Sequence, residues 1–292
     1  MKRFYRSIAL LVALVFIGVT AGCTISENKK AGSGITPTPS PVATTTPVEV
    51  KPTATPIPVT PAPTPAPSAT PKTLVKRTVP ILYYHAINDE VGQGQLSELF
   101  VSPKEFEKQM AFLKQNNYDV ITFDDLHNLD NVPNPVIITF DDGYEDNYLY
   151  AYPVLKKYGF KASIFLVSDF IGNSSILNKA QIKEMADLIN FQGHTMTHPD
   201  LPNIKIEDAE KEISVSKKAI EEITGKPVTV FAYPTGLYNK QILDITKKHY
   251  QYAVWNGGGL YSTTDDPYIM KRVYIPRELD IKGFEKKIKG LQ

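Results

Sequence analysis

Beyond residue 73 the chain alternates between short β-branched apolar runs and longer stretches whose apolar residues recur every three or four positions. The runs at 79–84, 118–123, 135–140, 162–167 and 228–232 read as strands. Pro135-Val136-Ile137-Ile138-Thr139-Phe140 is apolar without alternation, as expected of a strand covered on both faces. Ser102-Pro103-Lys104-Glu105 combines an N-cap Ser, a Pro at the first helical position and a Glu that closes a capping box; Phe106, Met110 and Leu113 then mark one helical face. Further helices are predicted over 146–158 and 207–224, ending at Gly159 and Gly225. Strand and helix follow each other in turn, which predicts an α/β domain of parallel strands with crossover helices. There is no internal repeat and no phosphate-binding glycine loop.

The first 72 residues have a different character. Lys2, Arg3 and Arg6 precede an apolar run at 8–19, followed by Thr20-Ala21-Gly22-Cys23. This pattern predicts a secretory signal peptide over 1–22 with a lipoprotein-type cleavage site. The apolar run is about a dozen residues, short of the roughly 20 that a spanning helix needs. Cys23 is the single cysteine of the chain, so no disulfide is available, and it is the expected lipidation site. Residues 36–72 are almost wholly Pro, Thr, Ala, Ser and Val, a composition that builds no core. At about 3.1 Å per residue in polyproline II, such a linker would hold a domain on the order of 100 Å from its anchor. The expected organisation is a signal peptide at 1–22, a lipidated N-terminus and disordered Pro/Thr-rich linker at 23–72, and one domain at 73–292, extracytoplasmic and lipid-anchored to the cell membrane.

Lys and Arg number 32 against 31 Asp and Glu, so the chain has no electrostatic bias toward nucleic acid. A neutral or weakly charged partner is expected, bound by a monomer.

Two segments carry chemistry. Asp141-Asp142-Gly143 follows the 135–140 strand, and His194-Thr195-Met196-Thr197-His198 presents two imidazoles four apart. Successive side chains on an extended strand point opposite ways, so the two carboxylates serve one site only if the chain turns there, which Gly143 permits. One Asp then binds a metal while its neighbour accepts a proton from water. Pro199 disfavours α geometry at His198, which puts the pair at a strand end running into a loop. One carboxylate with two imidazoles leaves a coordination position open, as in catalytic zinc sites. Each segment alone also fits a solvated Asp pair or loop histidines; together they point to a metal-assisted hydrolase.

Thr139-Phe140-Asp141-Asp142-Gly143-Tyr144 with Asp146-Asn147-Tyr148, then His194-Thr195-x-x-His198-Pro199, resembles the polysaccharide deacetylase family, carbohydrate esterase family 4. Phe231-Ala232-Tyr233-Pro234-Thr235-Gly236 and Tyr83-Tyr84-His85 are similar to the same family. The resemblance implies a distorted (β/α) barrel of seven or eight strands and removal of acetyl groups from N-acetylated, less readily O-acetylated, glycans. It implies Asp141 as general base, Asp142, His194 and His198 as metal ligands, and a divalent metal. Zinc suits one carboxylate and two imidazoles and is the expected ion, while the same donors also accept cobalt, nickel or ferrous iron.

Several positions depart from the family pattern. The usual Arg of the third motif is Ala232 and its usual aromatic residue is Thr235; the Asp-Trp pair is absent, with Trp255 the nearest candidate. The late Leu-x-His that supplies the general acid is replaced by Arg272-Val273-Tyr274-Ile275, and no His follows His249. Of the remaining histidines, His127 and His249 fall in helical stretches, whereas His85 ends a first barrel strand, where (β/α) barrels gather their functional groups. His85 is therefore the expected acid. Arg272 is expected to replace the missing Arg by pairing with Asp141 and keeping it ionised. The backbone N–H of Thr235 is the expected oxyanion donor. Tyr144, Tyr233, Tyr238, Trp255 and Tyr261 are candidates for stacking on sugar rings, and Tyr144, Tyr233, Thr235 and Trp255 are taken as the substrate-binding set.

A Tyr-His near the start and an Arg-Ile-type segment near the end are similar to the branch that deacetylates poly-N-acetylglucosamine. Peptidoglycan, chitin-like oligomers and acetylated xylan are the other expected substrates. The alternative is a membrane-anchored glycan-binding protein with a degenerate deacetylase fold, against which the intact Asp141, Asp142, His194 and His198 argue.

Overall fold

Eight parallel strands are laid down in chain order: β1 (Ile81–Tyr84), β2 (Asp119–Ile121), β3 (Pro135–Phe140), β4 (Ala162–Leu166), β5 (Ile189–Gly193), β6 (Val230–Ala232), β7 (Tyr252–Gly258) and β8 (Met270–Tyr274). Between and after them run α1 (Pro103–Gln115), α2 (Tyr152–Tyr158), α3 (Lys179–Met185), α4 (Ile206–Thr224), α5 (Lys240–His249) and α6 (Ile281–Ile288). This computed structural model describes residues 76–92 and 94–291; the expected signal peptide, Cys23 and the Pro/Thr-rich linker lie outside them.

The sheet closes because β1 pairs on one side with β8 (Leu82 with Val273) and on the other with β3 (Ile81 with Ile137 through Tyr84 with Phe140). Seven strands form the ring, and β2 stands outside it, paired with β3 from Asp119↔Pro135 to Ile121↔Ile137. This is a distorted (β/α) barrel, as expected.

Side chains alternate along each strand, so the ring has two apolar layers. Ile81, Ile137, Phe165, Val230, Ala232, Val254 and Met270 form the inner cluster. Leu82, Tyr84, Ile138, Phe140, Ile164, Phe231 and Val273 pack in a cluster that includes Phe106 and Met110 of α1 and Ile213 of α4. The same alternation, continued to the C-terminal strand ends, turns Tyr83, Thr139, Asp141 and Arg272 inward. Polar groups therefore replace apolar ones at one end of the barrel.

Two elements differ from expectation for local reasons. The 118–123 strand stops at Ile121, because the Asp125 carboxylate accepts from both the backbone N–H and the hydroxyl of Thr122 and starts a 3-10 turn, Phe123–His127. The helix expected over 146–158 begins as a π turn, Asn147–Ala151, before α2. Pro153 has no N–H to offer the carbonyl four residues back, and the wider turn absorbs that gap. The Ser102 cap is present, its hydroxyl accepting from Glu105 N at 3.1 Å, while the Glu105 carboxylate turns to Lys108 rather than closing the box.

Candidate active site

Asp141 continues β3, its N–H donating to Tyr84 O at 3.0 Å. The turn that brings the second carboxylate round begins at Asp142 itself, with φ of 69°, and continues through Gly143, with φ of 73°. A Cβ at Gly143 would come within 2.6 Å of Leu166 Cδ2, so the position has no room for a side chain. Thr195, His198 and Thr235 also have positive φ, so four of the six such non-glycine residues among those described gather here. Each left-handed residue costs about 1–3 kcal/mol, which the surrounding contacts must hold in place.

His194 leaves β5 with its N–H on Leu166 O at 3.0 Å. Its Nδ1 lies 2.8 Å from Ala232 O, and a carbonyl only accepts, so Nδ1 carries the proton and Nε2 keeps its lone pair. His194 Nε2 and His198 Nε2 lie 3.5 and 3.6 Å from Asp142 Oδ1. Tetrahedral coordination with bonds of about 2.0–2.2 Å sets neighbouring donors about 3.4 Å apart. Asp142, His194 and His198, with ligand atoms all within 4.8 Å of one another, fit a divalent metal. Pro199 keeps His198 out of the right-handed helical region, and the residue adopts φ of 60° instead.

Beside this cluster Asp141 receives two parallel hydrogen bonds from Arg272, both 2.7 Å, with both side chains almost fully buried. The guanidinium also donates to Asn256 Oδ1 at 2.8 Å and lies 4.0 Å from the centre of the Tyr83 ring, a cation–π contact. Burial alone would push the Asp141 carboxyl up. The Arg272 charge and its hydrogen bonds outweigh that and hold it below the usual carboxylate range. Burial likewise opposes ionisation of Asp142, but the facing imidazoles of His194 and His198 lower its pKa.

His85 follows β1 directly and is buried, its ring 4.8 Å from that of Tyr83. Its backbone is braced from one side: Asn147 Nδ2 donates to His85 O at 2.9 Å, and Asp146 Oδ1 accepts from Ile87 N at 3.0 Å. His85 Nδ1 is buried without a hydrogen-bond partner. Burial lowers its pKa, against the pull of the Asp142 and Asp141 charges. His249, by contrast, meets Glu210 of α4 at 2.6 Å, and His127 ends the 3-10 turn after β2.

The expected substrate contacts divide. Tyr144 and Trp255 are half-buried; Tyr144 packs on Phe100, with Asp142 among the charges acting on its hydroxyl, and Trp255 meets Tyr238 edge-on. Thr235 donates its hydroxyl to Asp200 Oδ1 at 3.0 Å. Tyr233 is a correction: it has 0% exposure, stands edge-on to Phe231, and donates its hydroxyl to Tyr268 O at 3.1 Å. It shares the outward parity of Phe231 and so faces the helices. Tyr261 is also buried, in the inner cluster.

Asn256 and Tyr83, which fix Arg272 from two sides, were not singled out from the sequence as members of the site. A signal existed for both: Tyr83 is two residues from inward-facing Ile81, and Asn256 two from Val254.

A family model described as polysaccharide deacetylase matches residues 128–254. YxkH of Bacillus subtilis, assigned to the polysaccharide deacetylases, is 35% identical over 232 residues, 77% of this chain and 81% of that protein. The poly-β-1,6-N-acetyl-D-glucosamine N-deacetylase of Staphylococcus aureus is 30% identical over 174 residues, 53% of this chain and 60% of that one. The crystal structure of BC0361, a polysaccharide deacetylase from Bacillus cereus, superposes with a TM-score of 0.69 at 37% identity, covering 73% of this chain and 69% of that one.

Proposed function

This chain belongs to the polysaccharide deacetylase family, and from that premise we propose that it is a metal-dependent amide hydrolase removing acetyl groups from an N-acetylated cell-envelope polysaccharide, with poly-N-acetylglucosamine the first candidate. The observation that carries the reading is the pairing of two differently prepared carboxylates. Asp142 faces two imidazoles at metal-donor spacing, and Asp141 is clamped by Arg272.

Asp142, His194 and His198 would hold the divalent ion, and one carboxylate with two imidazoles suits zinc. When bound, the ion supplies Lewis acidity, polarising the acetyl carbonyl and making water easier to deprotonate. Asp141 accepts the proton of the attacking water, and Arg272 keeps it ionised for that task. The backbone N–H of Thr235 supports the oxyanion of the tetrahedral intermediate. His85 delivers a proton to the departing sugar amine. Burial lowers its pKa, so the neutral imidazole that remains after the transfer is the favoured form. Tyr144 and Trp255 line the approach of the glycan. The name of the Staphylococcus aureus relative and the neutral charge balance of this chain both support poly-N-acetylglucosamine over a polyanion.

The reading extends to location. The basic, apolar and Ala-Gly-Cys order of residues 1–23 supports lipid attachment at Cys23, with the Pro/Thr-rich segment as a spacer between membrane and catalytic domain. Cys23→Ala should move the protein out of the membrane fraction and abolish labelling by a fatty-acid analogue.

The test of activity is acetate release by the full-length protein, metal-stripped and zinc-reloaded, from N-acetylglucosamine oligomers, peptidoglycan and acetylated xylan, beside Asp141→Asn. Zinc-dependent release that the variant lacks supports the proposal and names the glycan. Absence of release from every substrate, with one metal bound per chain, would favour the glycan-binding alternative.

A further inference from the structure

Several hydrogen bonds of the loop between the two imidazoles converge on a residue outside the motif. His194 N goes to Leu166 O, and the N–H groups of Ser168 and Asp169 donate to Thr195 O and Met196 O at 3.1 and 3.0 Å. Thr195 Oγ1 accepts from His198 N at 3.0 Å and donates to His194 O at 2.5 Å. The N–H groups of Met196 and Thr197 and the Thr197 hydroxyl all donate to one carboxylate, that of Glu212 on α4. Met196 N and Thr197 N reach Glu212 Oε2 at 2.8 and 2.9 Å, and Thr197 Oγ1 reaches Oε1 at 2.7 Å.

We propose that Glu212 is a positioning residue for the metal site: its carboxylate holds the 195–198 loop in the conformation from which His198 reaches Asp142. The inference rests on the reading of Asp142, His194 and His198 as metal ligands. The two histidines differ in how they are held. His194 is buried, and its ring is oriented by Ala232 O. The His198 side chain is 29% exposed, and its position follows from its backbone. That backbone is strained at both ends, with φ of 68° at Thr195 and 60° at His198. Three hydrogen bonds to a carboxylate mounted on a 19-residue helix oppose its relaxation. Without them the loop can return to ordinary backbone angles, and His198 Nε2 leaves its place 3.6 Å from Asp142 Oδ1.

The experiment compares the full-length wild type with Glu212→Ala and Glu212→Gln, metal-stripped and titrated with zinc against a chromogenic chelator. Gln can keep all three contacts, because its carbonyl accepts both N–H groups and its amide donates to the Thr197 hydroxyl. Loss of an outer hydrogen-bond partner typically costs 10–100-fold in metal affinity, so Glu212→Ala should weaken zinc binding by about 10–100-fold, while Glu212→Gln stays within about threefold of wild type. Hydrogen exchange over 194–199 should speed up in the Ala variant and not in the Gln variant. A purely structural Glu212 would lower the melting temperature of the Ala variant and leave its zinc affinity untouched; that result overturns the proposal, as does a Gln variant as weak as Ala. If the wild type itself takes up no zinc, the ligand reading fails first and the role of Glu212 falls with it.

Discussion

Arg272 and Asp141, 131 residues apart in the chain, meet in a two-point ion pair with both contacts at 2.7 Å. Arg272 lies at the third position of β8 and Asp141 just past the end of β3; both face the barrel interior. The guanidinium is further fixed by Asn256 and by the face of Tyr83, so the carboxylate it orients has one available direction. A carboxylate held this way is ionised, aimed and shielded, which suits a base beside a metal site.

Arg272→Ala leaves the Asp141 charge buried without its partner, and breaking one side of such a pair costs about 3–5 kcal/mol. Denaturant unfolding should show that loss, with Arg272→Lys intermediate because an ammonium cannot reproduce the two-point fork. The pH profile provides a second readout. Arg272 depresses the Asp141 pKa, so the base should stay ionised to low pH in the wild type, and the acid limb of kcat/KM should move to higher pH in the Lys variant. An acid limb that does not move would remove the proposed role.

On the proposed ligand set, His198→Ala removes a metal donor rather than a supporting contact. Zinc binding should weaken by more than the roughly 10–100-fold expected for loss of a hydrogen-bond partner, and acetate release should vanish with it. Metal content per chain, measured after dialysis, checks this. Retention of one tightly held zinc would exclude His198 as a ligand.

His85→Asn keeps size and polarity but cannot shuttle a proton. General acid–base groups contribute about 10²–10⁴-fold, so kcat should fall within that range while KM changes little. A leaving group that departs without protonation, such as an activated acetyl ester, should be spared. Equal loss on both substrates would mean that His85 shapes the site without donating a proton.

Asp146 supplies a stability test. Burial raises its carboxyl pKa from 3.8 to about 6, against the hydrogen bond from Ile87 N. Between pH 4 and 6 the folded protein therefore holds a proton that the unfolded chain has released. Stability from this group should fall as pH rises through that window, by about 3 kcal/mol at most, and stay lower above it. Asp146→Asn should flatten that part of the profile relative to wild type, as urea unfolding at a series of pH values would show. An identical slope in the variant would rule out Asp146 as its source.

Tyr233→Phe removes the hydroxyl, which donates to Tyr268 O and also meets the Thr246 side chain. The expected cost is about 1 kcal/mol of stability with KM unchanged. Tyr144→Ala should raise KM instead. If Tyr233→Phe raised KM, the tyrosine would belong to the glycan surface after all.

Much of the site was legible because it is local. Asp141 and Asp142 stand at a strand end, His194 and His198 on one short loop, and their spacing within each segment already carries the chemistry. Alternation within strands was also legible, but it had to be followed across Ala232 to show that Tyr233 faces away from the barrel interior. Asn256, two residues past inward-facing Val254, was legible by that same alternation, whereas Glu212 carries no local signal of its role, since the loop it holds lies outside its own helix.

Strand and helix order, the caps at Ser102 and Gly225 and the presence of two reactive segments follow from residues within a few positions of one another, where side-chain periodicity and backbone preference act directly. Which groups then touch was decided by the closing of the ring, which sets β8 against β1 and β1 against β3 in one register. Register aligns strand ends: β1, lying between β8 and β3, lets Arg272 meet Asp141, and the pairing of Gly193 with Phe231 brings Ala232 O to His194. Burial adds the rest: in the low-dielectric end of the barrel a charge needs its partner, and the partner is chosen by geometry rather than by nearness in sequence.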